Sequence, residues 1–407
     1  MTRPNLCSLL LGVLALAPSA RAYSVLSHEA IIDSAWDVAI KPILVQRFPH
    51  ATPDELRDAH AYAYGGAIIQ DMGYYPFGSH LFSDLTHYVR SGDFIVNLIV
   101  NAHDLDETAF ALGSLAHYAA DNAGHTIAVN RAVPMLYPKV RRKFGPVATY
   151  EDNPTAHLKT EFSFDVAEVS ENHYASDAYH NFIGFKVSKP LLERAFQTTY
   201  GLPLTDVSKA LDLALGTYRW TVSTLIPEMT KVAWAAKKKE LQKNKGVTRR
   251  SFVYAISRSS YEKEWGKDYQ RPGCWARFLS FLFRIIPKVG PFKAFGFHAP
   301  TPETQKLFME SFVRTLALYK EKLGEARRTN EPRLANDNFD TGHPAKYGSY
   351  FLADEASDKL LVKLGDKKFA GVDAALKRSL LDFYGSRIPE EPKAAAALTE
   401  LRALPVR

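Results

Sequence analysis

Apolar residues recur at spacings of three and four along most of the chain. Between Tyr23 and about residue 225 this pattern marks five stretches: "SHEAIIDSAWDVAIKPILVQRF" from Ser27, "TPDELRDAHAYAYGGAIIQDM" from Thr52, "SGDFIVNLIVNA" from Ser91, "DLDETAFALGSLAHYAADNAGHTIAVN" from Asp104, and "PLTDVSKALDLALGTYRWTVSTLI" from Pro203. A stripe with that period predicts helices that bury one face. Ser27, Thr52, Ser91 and either Asp104 or Asp106 stand where N-caps are expected. Period-two alternation is nearly absent, so the predicted fold is mostly α and multi-helical.

Past residue 225 the texture changes. "KKKELQKNKGVTRR" from Lys237 is basic and reads as a solvated face, and "PGCWARFLSFLFRIIPKVGPFKAFGF", residues 272–297, mixes bulky apolar side chains with Arg277, Arg284, Lys288 and Lys293. Such a stretch suits either a core-facing helix with a Pro/Gly loop or peripheral membrane contact, its basic groups meeting lipid phosphates. "PETQKLFMESFVRTLALYKEKL" predicts a further helix, and "NDNFDTGHPAKYGSYFLAD" from Asn336 reads as a long loop. The chain thus divides into residues 1–22, a unit over 23–225, and a helical C-terminal extension over 226–407.

The first 22 residues stand apart. Arg3 supplies a positive start, "LCSLLLGVLALA" is an apolar run too short to span a bilayer, and "ARA" ends in a small-x-small pattern, so a signal peptide cleaved after Ala22 is expected. That places the mature protein outside the cytoplasm, secreted or periplasmic, beginning at Tyr23. Cys7 leaves with the signal and Cys274 remains alone, which excludes an intrachain disulfide. At 46% hydrophobic and 23% charged the chain is globular rather than disordered or a bundle of membrane spans. Its formal charge of +7, which falls to +5 without Arg3 and Arg21, is too mild for a protein that coats nucleic acid.

The candidate chemistry lies in the histidines, eleven of thirteen of which fall at or before His180. In "LAHYAADNAGH", His117, Asp121 and His125 are four apart, and "AHLKTEF" repeats the spacing with His157 and Glu161. On a helix that spacing carries the donors along one stripe, and imidazole nitrogen with carboxylate oxygen is the donor set zinc takes. Asp121 and Glu161 are costly to bury without a cation. Two such pairs with a spare carboxylate suggest more than one ion. "AHDLD" also contains adjacent His103 and Asp104, the dipeptide of another metal-dependent phosphohydrolase class, but His103 reads as a solvated loop residue.

"AFALGSLAHYAADNAGH", "GGAIIQDMGYYPFG", "LTHY" and "AHLKTEFSFDV" resemble the zinc-dependent phospholipase C family, especially the branch with glycosylphosphatidylinositol-specific phospholipase D, and the related single-strand-specific zinc nucleases. The resemblance spans about residues 23–185. It implies a helical fold with three zinc ions in one cleft, one of them held by the amino and carbonyl groups of the first mature residue. Carried onto this chain, it implies a first site from Asp71, His80 or His87, His117 and bridging Asp121. A second would use His125, His157 and Glu161; a third would use the Tyr23 main chain, His28 and Asp121 again. "LTHY" matches the family's His-aromatic pair and inclines the choice toward His87. The first residue is Tyr where the nucleases have Trp, and the HxxxDxxxH spacing matches the lipid-anchor-cleaving branch rather than the secreted bacterial phospholipases.

The function expected from this resemblance is phospholipase C-type hydrolysis of phospholipid head groups by a zinc-bound hydroxide, with Asp71 orienting or deprotonating the water. Tyr74, Tyr75 and Phe77 would line the entrance. A single-strand nuclease and a non-catalytic, zinc-stabilised membrane-binding protein are the alternatives; no specific nucleic-acid partner is expected, and nothing indicates an oligomer.

Overall fold

The computed structural model describes residues 25–170, 185–222 and 296–405. The expected signal peptide, Tyr23, the basic run from Lys237 and residues 272–295 lie outside them. The described chain is mostly helical, as the periodicity predicts. In order come α1 (Val25–Ala35), α2 (Lys41–Arg47), α3 (Pro53–Ile68), α4 (His80–Tyr88), α5 (Ser91–Val100), α6 (Leu105–Ala123), α7 (Asn130–Leu136), α8 (Pro138–Phe144), α9 (Pro154–Ser170), α10 (Lys189–Tyr200) and α11 (Leu211–Trp220). After residue 296 come α12 (Pro302–Thr329), a two-residue antiparallel ladder of β1 (Asp337–Asn338) and β2 (His343–Pro344), α13 (Phe351–Asp366), α14 (Ala374–Tyr384) and α15 (Pro392–Ala403). No helix among the described residues is long and apolar enough to cross a membrane.

Two of the expected caps form. Thr52 Oγ1 accepts from the Glu55 amide at 3.3 Å while the Thr52 amide donates to Glu55 Oε2 at 2.8 Å, a reciprocal box that satisfies two donors otherwise orphaned at the start of α3. Asp104 caps α6 by accepting from the Glu107 amide at 2.8 Å. Three do not. Ser27 lies inside α1 and its hydroxyl donates to Asp165 at 2.6 Å; Ser91 is the first residue of α5 and donates to the Asp337 carbonyl at 2.6 Å; Asp106 sits within the first turn of α6. In the first two a tertiary oxygen outbids the local amides for the hydroxyl.

The core is the crossing of α3 and α6, which pack more extensively than any other pair of described elements. Their backbones touch: a Cβ on Gly66 would lie 1.9 Å from the Phe110 carbonyl oxygen, and one on Gly113 would lie 2.0 Å from that of Ala63. Only glycine permits this approach. α12 lies along α6, where Tyr319 hydroxyl donates to the Leu112 carbonyl at 2.8 Å. α13 packs on α4, and α10 fixes the end of α4 through Tyr200, whose hydroxyl donates to the carbonyls of Leu85 and Val89. Helices that follow residue 296 therefore pack directly on helices that precede residue 125. Phe297, the last residue of the basic-aromatic stretch, is buried against Phe162 at 5.7 Å between ring centres.

The stretch expected as one helix through His125 changes pitch near its end. α6 stops at Ala123 and a wide π turn runs from Gly124 to Val129. The extra residue per turn rotates His125 relative to His117 and Asp121, a distortion often found at functional sites.

A buried histidine-carboxylate cluster

Four helices, a short 3-10 helix and the π turn bring the sequence-distant donors together. α1 carries His28, the 3-10 helix after α3 (Ile69–Tyr74) carries Asp71, α4 carries His87, α6 carries His117 and Asp121, the π turn carries His125, and α9 carries His157 and Glu161. All eight side chains are buried. Three groups of three place one donor atom each within 4.8 Å of one another: Asp71, His87 and His117; His28, His117 and Asp121; His125, His157 and Glu161.

The groups are continuous. His117 Nε2 lies 3.1 Å from Asp121 Oδ2 and 3.2 Å from His87 Nε2, while His87 Nε2 is 3.4 Å from both Asp71 Oδ1 and Asp121 Oδ2. His28 stacks on His117 with ring centres 4.6 Å apart and directs Nε2 to Asp121 Oδ1 at 3.7 Å. His125 Nε2 is 3.9 Å from Asp121 Oδ2, and His157 Nε2 is 3.0 Å from Glu161 Oε1. Of the two alternatives on α4, His87 is in the cluster; His80 is exposed, its ring set edge-on to that of Tyr74 at 5.6 Å between centres. His103 is 71% exposed, as a loop residue should be.

Residues outside these groups hold their members in place. His87 Nδ1 lies 2.7 Å from the Ser83 carbonyl and His117 Nδ1 lies 2.9 Å from the Ala67 carbonyl. A carbonyl only accepts, so each Nδ1 must carry the proton and each Nε2 is turned to the cluster. Asp165, one turn beyond Glu161, accepts from the amides of Leu26 at 3.0 Å and Ser27 at 3.2 Å, pinning the start of α1 beside His28. The sequence reading did not single it out, although it continues the stripe of His157 and Glu161 at the same spacing. Asp340, after β1, lies 2.5 Å from His125 Nδ1; nothing local in the sequence points to it. The aromatic residues after Asp71 divide. Tyr74 is buried with its ring 5.9 Å from that of His87, Tyr75 is buried against Tyr218 instead of lining an entrance, and Phe77 is 55% exposed.

The electrostatics fit a cation. Burial lowers the pKa of His87, but the hydrogen-bonded carboxylates of Asp121 and Asp71 outweigh it and push the value up to about 10. A proton there occupies the place a metal ion would take. Burial raises the Asp121 pKa, and the charge of His117 with hydrogen bonds from His117 and His87 overcomes that to hold the carboxyl well below its usual range. Burial, reinforced by His125, drives His157 down to about 3, which leaves it the neutral imidazole that a metal requires. Closely packed imidazoles and carboxylates, buried with their Nε2 atoms converging, are costly in the absence of positive charge and are an N/O donor set suited to zinc.

Neither a curated protein nor a solved structure matches the chain. Residues 27–209, which contain all eight clustered donors, match the family model described as zinc-dependent phospholipase C.

Proposed function

We propose that the protein is an exported zinc-dependent phosphodiesterase of phospholipase C type that removes the phosphorylated head group from a phospholipid, with three ions in the cluster. The observation that carries the reading is the fusion of three donor groups into one buried site through His117 and Asp121. Clustered zinc supplies a water acidic enough to attack a phosphodiester near neutral pH. The chain's part is positional. Asp71, in the 3-10 helix between α3 and α4, orients the attacking water and accepts its proton, while Asp121 joins the His28 side of the site to the His125 side. The main chain of Tyr23, as first residue of the mature protein, supplies further donors to the ion held by His28, and the exposed ring of Phe77 meets the acyl region. The expected signal peptide supports export, and the stretch from residue 272 supports a peripheral lipid contact that excludes Phe297, which is buried against Phe162.

The test is hydrolysis of phosphatidylcholine, phosphatidylinositol and single-stranded DNA side by side, with and without a chelator, by the wild type and His117→Ala. Chelator-sensitive release of head group from lipid, lost together with bound zinc in His117→Ala, is expected. Hydrolysis of DNA alone would move the assignment to the nuclease branch. A protein that turns over none of the three, and whose helices melt when zinc is stripped, would be the non-catalytic, zinc-stabilised alternative.

A further inference from the structure

The β1–β2 hairpin lies well outside residues 27–209, yet it is laced into the cluster. Phe339 donates its amide to the His87 carbonyl at 3.2 Å and buries its ring against those of His87, Tyr118 and His117, at 5.5, 5.5 and 6.2 Å between centres. Asn130 Nδ2 donates to the Asp340 carbonyl at 2.6 Å. The Asp340 side chain is itself fixed. Oδ2 accepts from the hydroxyl of Tyr350 and, at 3.4 Å, from that of Tyr88, and its amide donates to Asn338 Oδ1 at 2.8 Å. That leaves Oδ1 for His125 Nδ1, 2.5 Å away, while the opposite edge of the same ring faces Asp121 at 3.9 Å.

Three histidines of the cluster thus share one arrangement, with Nδ1 against an oxygen fixed by the fold and Nε2 turned inward. For His87 and His117 that oxygen is a main-chain carbonyl within the family segment. For His125 it is the side chain of Asp340, supplied by the C-terminal extension. Such an outer partner sets which nitrogen carries the proton, fixes the ring orientation and raises ligand basicity.

We propose that Asp340 is a positioning residue of the metal centre: it holds His125 so that Nε2 addresses the group shared with His157 and Glu161, and it makes residues 335–350 a working part of the site. This rests on reading the cluster as a zinc centre.

The test uses the full mature chain, measuring zinc content and zinc affinity by chelator competition, alongside thermal unfolding of the zinc-free protein. Asp340→Ala should weaken binding of the ion that depends on His125 by about 10- to 100-fold. Asp340→Asn, which keeps one acceptor oxygen, should fall between it and the wild type, and Tyr350→Phe should weaken binding severalfold. That graded order, with helix content unchanged, supports the proposal. Zinc affinity within twofold of the wild type in all three, or a loss confined to the melting temperature of the zinc-free protein, overturns it. If Asp340→Ala does not fold, the other two variants decide by the same criterion. A wild type that binds zinc tightly while the variants match it overturns only this inference; a wild type that binds none overturns the zinc reading as well.

Discussion

Asp165→Ala removes the one side chain that the Leu26 and Ser27 amides share at the start of α1. Its buried carboxylate accepts from the Leu26 amide at 3.0 Å, the Ser27 amide at 3.2 Å and the Ser27 hydroxyl at 2.6 Å. Hydrogen bonds to a charged group contribute roughly 1.5–3 kcal/mol each, but they share one acceptor group and are not additive. The loss of a helix cap alone costs about 1–2 kcal/mol. Here two buried amides are also left without a partner, at about 1–3 kcal/mol each before relaxation. Together these place the destabilisation at roughly 3–4 kcal/mol. Urea unfolding of the zinc-free protein, followed by circular dichroism, should show a lower midpoint at unchanged slope. Because His28 follows Ser27 directly, zinc held on the His28 side should also weaken. A loss below about 1 kcal/mol would refute the reasoning, since it would mean water or another acceptor readily replaces the carboxylate.

Two further outcomes follow from the site. His87→Ala should lose bound zinc and turnover together, whereas His80→Ala should keep both within about twofold; metal analysis beside an activity assay checks this, and the reverse result would return the choice on α4 to His80. Asp84 is pushed from 3.8 up to about 7 by burial, against the pull of His87 and Lys359. Its folded-state pKa is raised, so its charge penalises the fold fully above about pH 7, and the penalty fades as pH falls through that value toward 3.8. Asp84→Asn should therefore gain stability over the wild type at pH 8–9, by up to roughly 4 kcal/mol, and lose that advantage near pH 4; equal melting-temperature differences at both pH values would show the assignment to be wrong.

Where a property depends on neighbours in the chain, it was legible in the sequence. The helical stripes, the Thr52 and Asp104 caps, and the spacing of His117, Asp121, His157 and Glu161 all come from the periodicity of the backbone. A family-like dipeptide favours His87; helical spacing alone does not separate it from His80, which lies seven residues earlier on the same stripe and is exposed at the first position of α4. What escaped the reading depends on tertiary contact. Ser27 and Ser91 look like caps, but Asp165 and the Asp337 carbonyl take their hydroxyls. Tyr75 looks like an entrance residue until Tyr218 is packed against it. Asp340 sits in a loop-like run more than two hundred residues after His125, and no local period ties the two. Asp165 carried a signal, the continued spacing after Glu161, whose meaning appears only once α1 is docked.

The backbone contact between α3 and α6 has a consequence for which substitutions the chain can bear. Ala67, whose carbonyl steers His117, is one residue from Gly66, and Gly113 is one turn before His117. A single added methyl at either glycine would wedge main chain from main chain, and no rotamer can move a carbonyl aside. These two positions, which hold no functional group at all, should prove as intolerant of replacement as the imidazoles they bring to the right distance.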